Sequence, residues 1–180
     1  MTPMFPIALV LRQRRCLVVG DGSEASGRAQ ALADAGAEVL MVKPADYTPA
    51  DLDGAWLAVL TERNAELAAR LSGECEARQT FFCAVDQPSF GSFAHVAIAR
   101  AGSLFVGIGT SGRAPALARR LRELLQALFD RSNLAAYVEK LAELRERTPS
   151  ADRSRVLNAA VADLDLLGTL SVPRTERNQP

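Results

Sequence analysis

Short, predominantly apolar runs alternate with longer amphipathic stretches through the first half of the chain. Cys16–Val19, Glu38–Val42, Ala55–Leu60 and Thr80–Val85 are rich in β-branched or aromatic residues and are stopped by Gly, Pro or charged positions. Such runs suit strands buried on both faces, where no polar alternation is expected. Between them, apolar positions return at helical spacing: Ala29, Leu32, Ala33 and Gly36, then Leu67, Ala68, Leu71 and Cys75 within Asn64–Arg78. Tyr47–Asp53 is a turn-rich connection. Strands separated by crossover helices predict an α/β, Rossmann-like domain with a mostly parallel, doubly wound sheet. Ahead of it, Pro3–Leu11 is an apolar entry segment expected to pack against the first strand.

The pattern changes after Pro88. Phe90–Arg100 and Ser103–Ile108 read as two strands whose short Ala101-Gly102 connection leaves no room for a crossover, so they form an antiparallel pair. Thr110–Pro115 is a loop, with Pro115 suited to a first helical turn. Three helical stretches follow, Ala116–Phe129, Leu134–Arg147 and Ala151–Leu167, broken at Asp130–Asn133 and Thr148–Ser150. Leu134, Val138, Leu141 and Leu144 make a stripe of the kind that builds intramolecular core. The polar tail Arg174–Pro180 is expected to be disordered.

The chain has 180 residues with 21 basic and 21 acidic side chains, enough for one domain with a small appendage and a sizeable core. A balanced charge offers no basic excess for displacing counterions and argues against a nucleic-acid partner. The N-terminal apolar run is short and lacks a cleavage pattern, and no stretch approaches the ~20 apolar residues of a membrane span. A reducing cytoplasm is the expected compartment. Cys16, Cys75 and Cys83 lack metal-ligand spacing, and Cys16 and Cys83 read as small core residues. No metal site is predicted.

Candidate chemistry gathers at the ends of the predicted strands. Gly20-x-Gly22-x-x-Ala25 lies between a strand and a helix, the context in which this spacing signals dinucleotide binding. Gly20 permits the tight turn, Gly22 a close approach to pyrophosphate, and the helix N-terminus offers free N–H groups. The acidic residue usual about 20 positions later is replaced by Lys43-Pro44. Either backbone groups hold the ribose, or Lys43 accepts a 2′-phosphate, or Lys43 is a solvated strand end. In a parallel sheet, Gly20–Gly22, Thr61 and Asp86 would converge on one crevice. Asp86 there is a general base, a metal ligand, or a turn residue preceding Pro88. His95, the only histidine, reads as structural. Thr110 and Ser111 could hold an anion at a helix N-terminus or simply cap it, and Arg113, Arg119, Arg120 and Arg122 form a basic helix face.

Four segments together resemble the precorrin-2 dehydrogenase family, the N-terminal module of siroheme synthases. They are FPIALVLRQRRCLVVGDG, ASGRAQALADAGAEV, FFCAVDQPSFGSF and VGIGTSGRAPALARRLRELL, within roughly residues 3–125. The resemblance implies NAD⁺-dependent oxidation of precorrin-2 to sirohydrochlorin, with NADP not excluded and with ferrous iron insertion in some relatives. It makes Asp86 the essential aspartate, puts Gly20, Gly22, Ser23 and Glu24 at the pyrophosphate turn, and gives Pro44 and Ala45 backbone contacts to the cofactor. Thr110 would stand near the tetrapyrrole pocket, and Arg113, Arg119 and Arg122 would clamp carboxylates of the substrate. It further implies a homodimer. The expected organisation is a nucleotide-binding domain over 1–94, a dimerisation region over 95–130 and a helical region over 131–180. Asp21, Glu24, Thr61-Glu62-Arg63, Cys83 and Val96 depart from the family pattern. They keep open a chelatase without redox activity and a non-catalytic nucleotide- or tetrapyrrole-binding module.

Overall fold

The computed structural model describes residues 4–166. Four strands, β1 (Arg15–Val19), β2 (Glu38–Val42), β3 (Ala55–Leu60) and β4 (Phe81–Ala84), form a parallel sheet in the order β2-β1-β3-β4. Helix α1 (Gly22–Asp34) connects β1 to β2, and α2 (Ala65–Ala77) connects β3 to β4. Val19 is level with both Val42 and Leu60, and Leu60 with Ala84, so the loops that follow all four strands leave from one edge of the sheet. The chain turns in opposite directions from β1 to β2 and from β3 to β4, which makes the β1/β3 boundary the switch point where α/β sheets open a ligand crevice.

Side-chain alternation divides the core in two. Cys16, Val18, Leu57 and Val59 pack with Ala25 and Leu32 of α1 on one face. Leu17, Val19, Ala58, Leu60 and Phe82 pack with Ala68, Leu71 and Cys75 of α2 on the other. Both faces are covered, which is why these strands carry unbroken apolar runs. Each fully buried Val or Leu here contributes roughly 1.5–3 kcal/mol relative to exposure. The three cysteines are free and buried, and burial raises their thiol pKa values, that of Cys75 to about 12.

The entry segment departs from expectation. Of its described residues only Leu11 joins the core, while Phe5 (86% exposed) and Val10 (79%) stand in solvent. The first strand already has β2 and β3 as neighbours and helices over both faces, leaving no surface for the segment to cover. The expected strand over 90–100 is also shortened. Its first half instead runs beside β4, where the Ser92 N–H donates to Phe82 O (2.8 Å) and Ser92 Oγ accepts from Phe82 N–H (2.9 Å). Gly91 permits this approach, since a Cβ there would lie 3.2 Å from Phe82 O. The edge of the parallel sheet is thereby paired.

Strand β5 (Ala97–Ala101) and β6 (Leu104–Ile108) form a two-stranded sheet across the Gly102-Ser103 turn, a connection short enough only for antiparallel strands. The chain divides into two compact units, residues 1–98 with 107–122, and residues 99–106 with 123–180. In the second unit Ala99, Ala101 and Phe129 form the buried hydrophobic cluster, with Val106, Leu125 and Leu134 packed on them. The Gln126 side chain accepts from Arg100 N–H and donates to Arg100 O, both at 2.9 Å.

Helix α3 (Pro115–Ser132) starts at the expected proline and outlasts its expected end, Phe129. It stops at Asn133, whose left-handed backbone (φ 55°) asparagine tolerates well. Helix α4 (Leu134–Arg147) follows the expected boundaries, and its stripe is half-buried. Helix α5 (Arg153–Ala160) is shorter than expected, because beyond Val161 the apolar Leu164 and Leu166 remain exposed and offer no face to bury. Leu167 and the polar tail lie outside the described residues. Among the described residues, no helix is long and apolar enough to cross a membrane.

Candidate active site

Three backbone hydrogen bonds extend the sheet one residue past its strands. Gly20 N–H donates to Val42 O (2.9 Å), Thr61 N–H to Val19 O (3.0 Å) and Val85 N–H to Leu60 O (2.9 Å). They bring the glycine turn, Thr61 and the Asp86 turn side by side, so the three segments expected at one crevice do meet. The two glycines serve different ends. A Cβ on Gly20 would lie 1.9 Å from Thr61 Oγ1, and its φ of +157° already disfavours a side chain. Gly22, at φ +80°, needs glycine for its backbone alone, and the space where its Cβ would stand is open. That open space above the start of α1 is the room a pyrophosphate requires.

Asp21 occupies the N-cap of α1 in extended conformation and makes no side-chain capping bond, so it leaves the first N–H groups of the helix uncovered. Ser23 is exposed, and Glu24 in the first turn pairs with Arg28 at 3.5 Å. Ser23, Glu24, Gly27, Arg28 and Ala31 line a shallow depression along this helix. Thr61 Oγ1 is buried and has no hydrogen-bond partner among the described residues. Below β2, exposed Lys43 precedes a 3₁₀ turn, Pro44–Asp46, and makes no ion pair among the described residues. The residues present therefore fit a nucleotide at the Gly20–Ser23 turn, with Lys43, Pro44 and Ala45 on the neighbouring strand end.

Asp86 stands in the left-handed region at φ +58°. Its Oδ2 accepts from Arg63 Nη2 at 2.6 Å, and no hydrogen bond engages Oδ1 among the described residues. The side chain is thus not spent on a local turn before Pro88. Gln87 ties the two loops together by donating from Nε2 to Glu62 O (2.9 Å). Arg63, 77% exposed, is held still more firmly in its charged form by Asp86, with Glu24 adding a smaller effect. The sequence marked Arg63 as a departure from the family pattern but gave it no role. The available signal was its place three residues past the third strand, where the resembled family pattern carries acid.

His95 keeps an exposed surface, yet its ring stands 5.3 Å from that of Phe93 in a T-shaped contact. Desolvation first, then the Arg28 charge, lower its pKa to about 4, so the imidazole is neutral near pH 7. It remains a structural residue. Thr110 Oγ1 accepts from Ala114 N–H at 3.2 Å just ahead of α3. Ser111 has φ +51°, Arg113 and Arg119 are exposed, and Arg122 is half-buried. Among the described residues, no hydrogen bond or ion pair joins Thr110, Ser111, Arg113 or Arg119 to the Asp86 corner.

Residues 7–97, which contain the parallel sheet and its glycine turn, match a family model described as "Putative NAD(P)-binding". The chain belongs to this family. Curated relatives include a siroheme synthase of Methylobacillus flagellatus, 32% identical over 84% of this chain and 37% of its own length. Another is a siroheme synthase of Chromobacterium violaceum, 32% identical over 96% of the chain and 42% of that protein. The chain therefore spans about two fifths of the length of these relatives. Among solved structures, the precorrin-2 dehydrogenase SirC shares the fold with a TM-score of 0.72 at 21% identity, covering 89% of this chain and 90% of that one.

Proposed function

We propose that the chain is an NAD⁺-dependent precorrin-2 dehydrogenase that forms sirohydrochlorin, acting as a homodimer through the region over 95–130. The observation that carries the reading is the meeting of the Gly20 turn, Thr61 and Asp86 at one sheet edge, with a carboxylate oxygen left open beside the nucleotide turn. The names of the relatives supply the substrate. When bound, the nicotinamide supplies the hydride acceptor. Dehydrogenation removes a hydride from one carbon of the macrocycle and a proton from a neighbouring C–H or N–H, whose electron pair becomes the new double bond. Asp86 Oδ1 takes that proton, and the exposed position of the carboxylate passes it on to water. The uncovered N–H groups of α1 and the Gly22 backbone hold pyrophosphate, while Pro44 and Ala45 lie where the ribose is held by backbone. Arg113, Arg119 and Arg122 supply cations for the carboxylates of the tetrapyrrole.

Anaerobic absorbance of the purified chain with precorrin-2 and NAD⁺ tests this. The expected result is growth of the sirohydrochlorin spectrum with equimolar NADH, slowed about 10²-fold or more in Asp86→Ala. Silence in a well-folded wild-type protein would refute it. Ferrous iron added to the product reads the second activity, in which Asp86 would accept the pyrrolic protons released by the metal.

A further inference from the structure

We infer that Arg63 is the positioning residue for Asp86: by holding Oδ2 it fixes the carboxylate so that Oδ1 is the oxygen that receives the substrate proton. The inference rests on the proposed role of Asp86. An ion pair between side chains this exposed contributes little to folding, so stability does not explain its presence. Its geometry is specific nonetheless. Asp86 and Arg63 lie on loops leaving adjacent strands, and those loops are pinned by Val85 N–H to Leu60 O and by Gln87 Nε2 to Glu62 O. The left-handed backbone at Asp86 sets the direction of its side chain. A carboxylate free to rotate would present either oxygen, and the guanidinium removes that freedom.

No bond to substrate is assigned to Arg63. The proton leaves a C–H or N–H of the macrocycle for Oδ1, and its electron pair stays in the new double bond. The hydride goes to the nicotinamide, as in the parent reading. Arg63 remains protonated throughout.

Steady-state oxidation of precorrin-2 by NAD⁺ in the full chain, comparing wild type, Arg63→Ala, Arg63→Lys, Asp86→Ala and the Arg63→Ala/Asp86→Ala double variant, tests the assignment. Arg63→Ala is expected to lower kcat by about 10- to 100-fold with KM changed less than about twofold, as misorientation of a base predicts. Arg63→Lys should recover most of kcat, because an ammonium on a flexible stem still reaches Oδ2. In the Asp86→Ala background, losing Arg63 should cost nothing more. An active wild type with Arg63→Ala at full kcat would overturn the assignment alone. So would a loss confined to KM, which would make Arg63 a substrate clamp, or equal losses with and without Asp86. An inactive wild type would overturn the parent reading, and this one with it.

Discussion

The two units of the chain are built on opposite terms. In the first, α1 and α2 close both faces of a four-stranded parallel sheet, and Leu17, Val18, Val19 and Val59 have no exposed surface at all. In the second, Ala99, Ala101 and Phe129 are the buried cluster, and α4 has no buried residue. A loop can hold a side chain in costly geometry only if its ends are fixed, and the first unit fixes them at the β1, β3 and β4 ends. Gly20 and Asp86 are both held at positive φ there. The second unit holds its elements through polar ties such as Gln126 to the Arg100 backbone and Tyr137 to Ala160 O.

The same truncation should separate the units most clearly. Leu17→Ala, at a fully buried position, is expected to lower unfolding free energy by about 3 kcal/mol in urea denaturation, and Leu134→Ala, half-buried, by about 1 kcal/mol. Equal costs would dissolve the distinction between the cores. At the glycine turn, Gly20→Ala should cost about 2–4 kcal/mol by thermal melting, because its Cβ must displace Thr61 Oγ1. Gly22→Ala has only backbone strain to meet and should cost about 1 kcal/mol. Combining Gly20→Ala with Thr61→Ala should recover at least about 1 kcal/mol, since the colliding oxygen is gone. Strict additivity would mean that the clash relaxes elsewhere.

A smaller effect is expected at His95. Its folded pKa of about 4 lies below the ordinary 6.5, so the unfolded chain binds a proton between those values while the folded chain does not. Stability should therefore fall as pH is lowered from about 6.5 toward 4. His95→Gln, which stays neutral, should flatten the melting temperature over that window, and an unchanged slope would assign it to other groups.

The first unit was legible because burial on both faces writes itself as continuous apolar runs. All four parallel strands and the second crossover helix lie within about a residue of where periodicity placed them, while α1 ends at Asp34, short of the Gly36 that its spacing included. The glycine spacing also pointed to the turn that meets Thr61. Pairwise contacts between loops distant in sequence were not legible: Arg63 and Asp86 are joined by tertiary geometry, which no local pattern encodes. Pro3–Leu11 misled for a related reason. Its apolar residues matched a buried segment, but the sheet they would have covered was already closed by α1 and α2. The strand expected over residues 90–100 begins only at Ala97, because Ser92 bonds the β4 edge instead.

Nucleotide-dependent thermal melting of the full chain tests the central claim, that the corner of Gly20, Thr61 and Asp86 is a cofactor-dependent site. NAD⁺ at about a hundred times its dissociation constant should stabilise the protein by about 2.7 kcal/mol. The melting temperature should rise accordingly, with the rise weakened in Gly20→Ala at matched nucleotide. A melting temperature unmoved by millimolar NAD⁺ and NADP⁺ alike would contradict the account at its root.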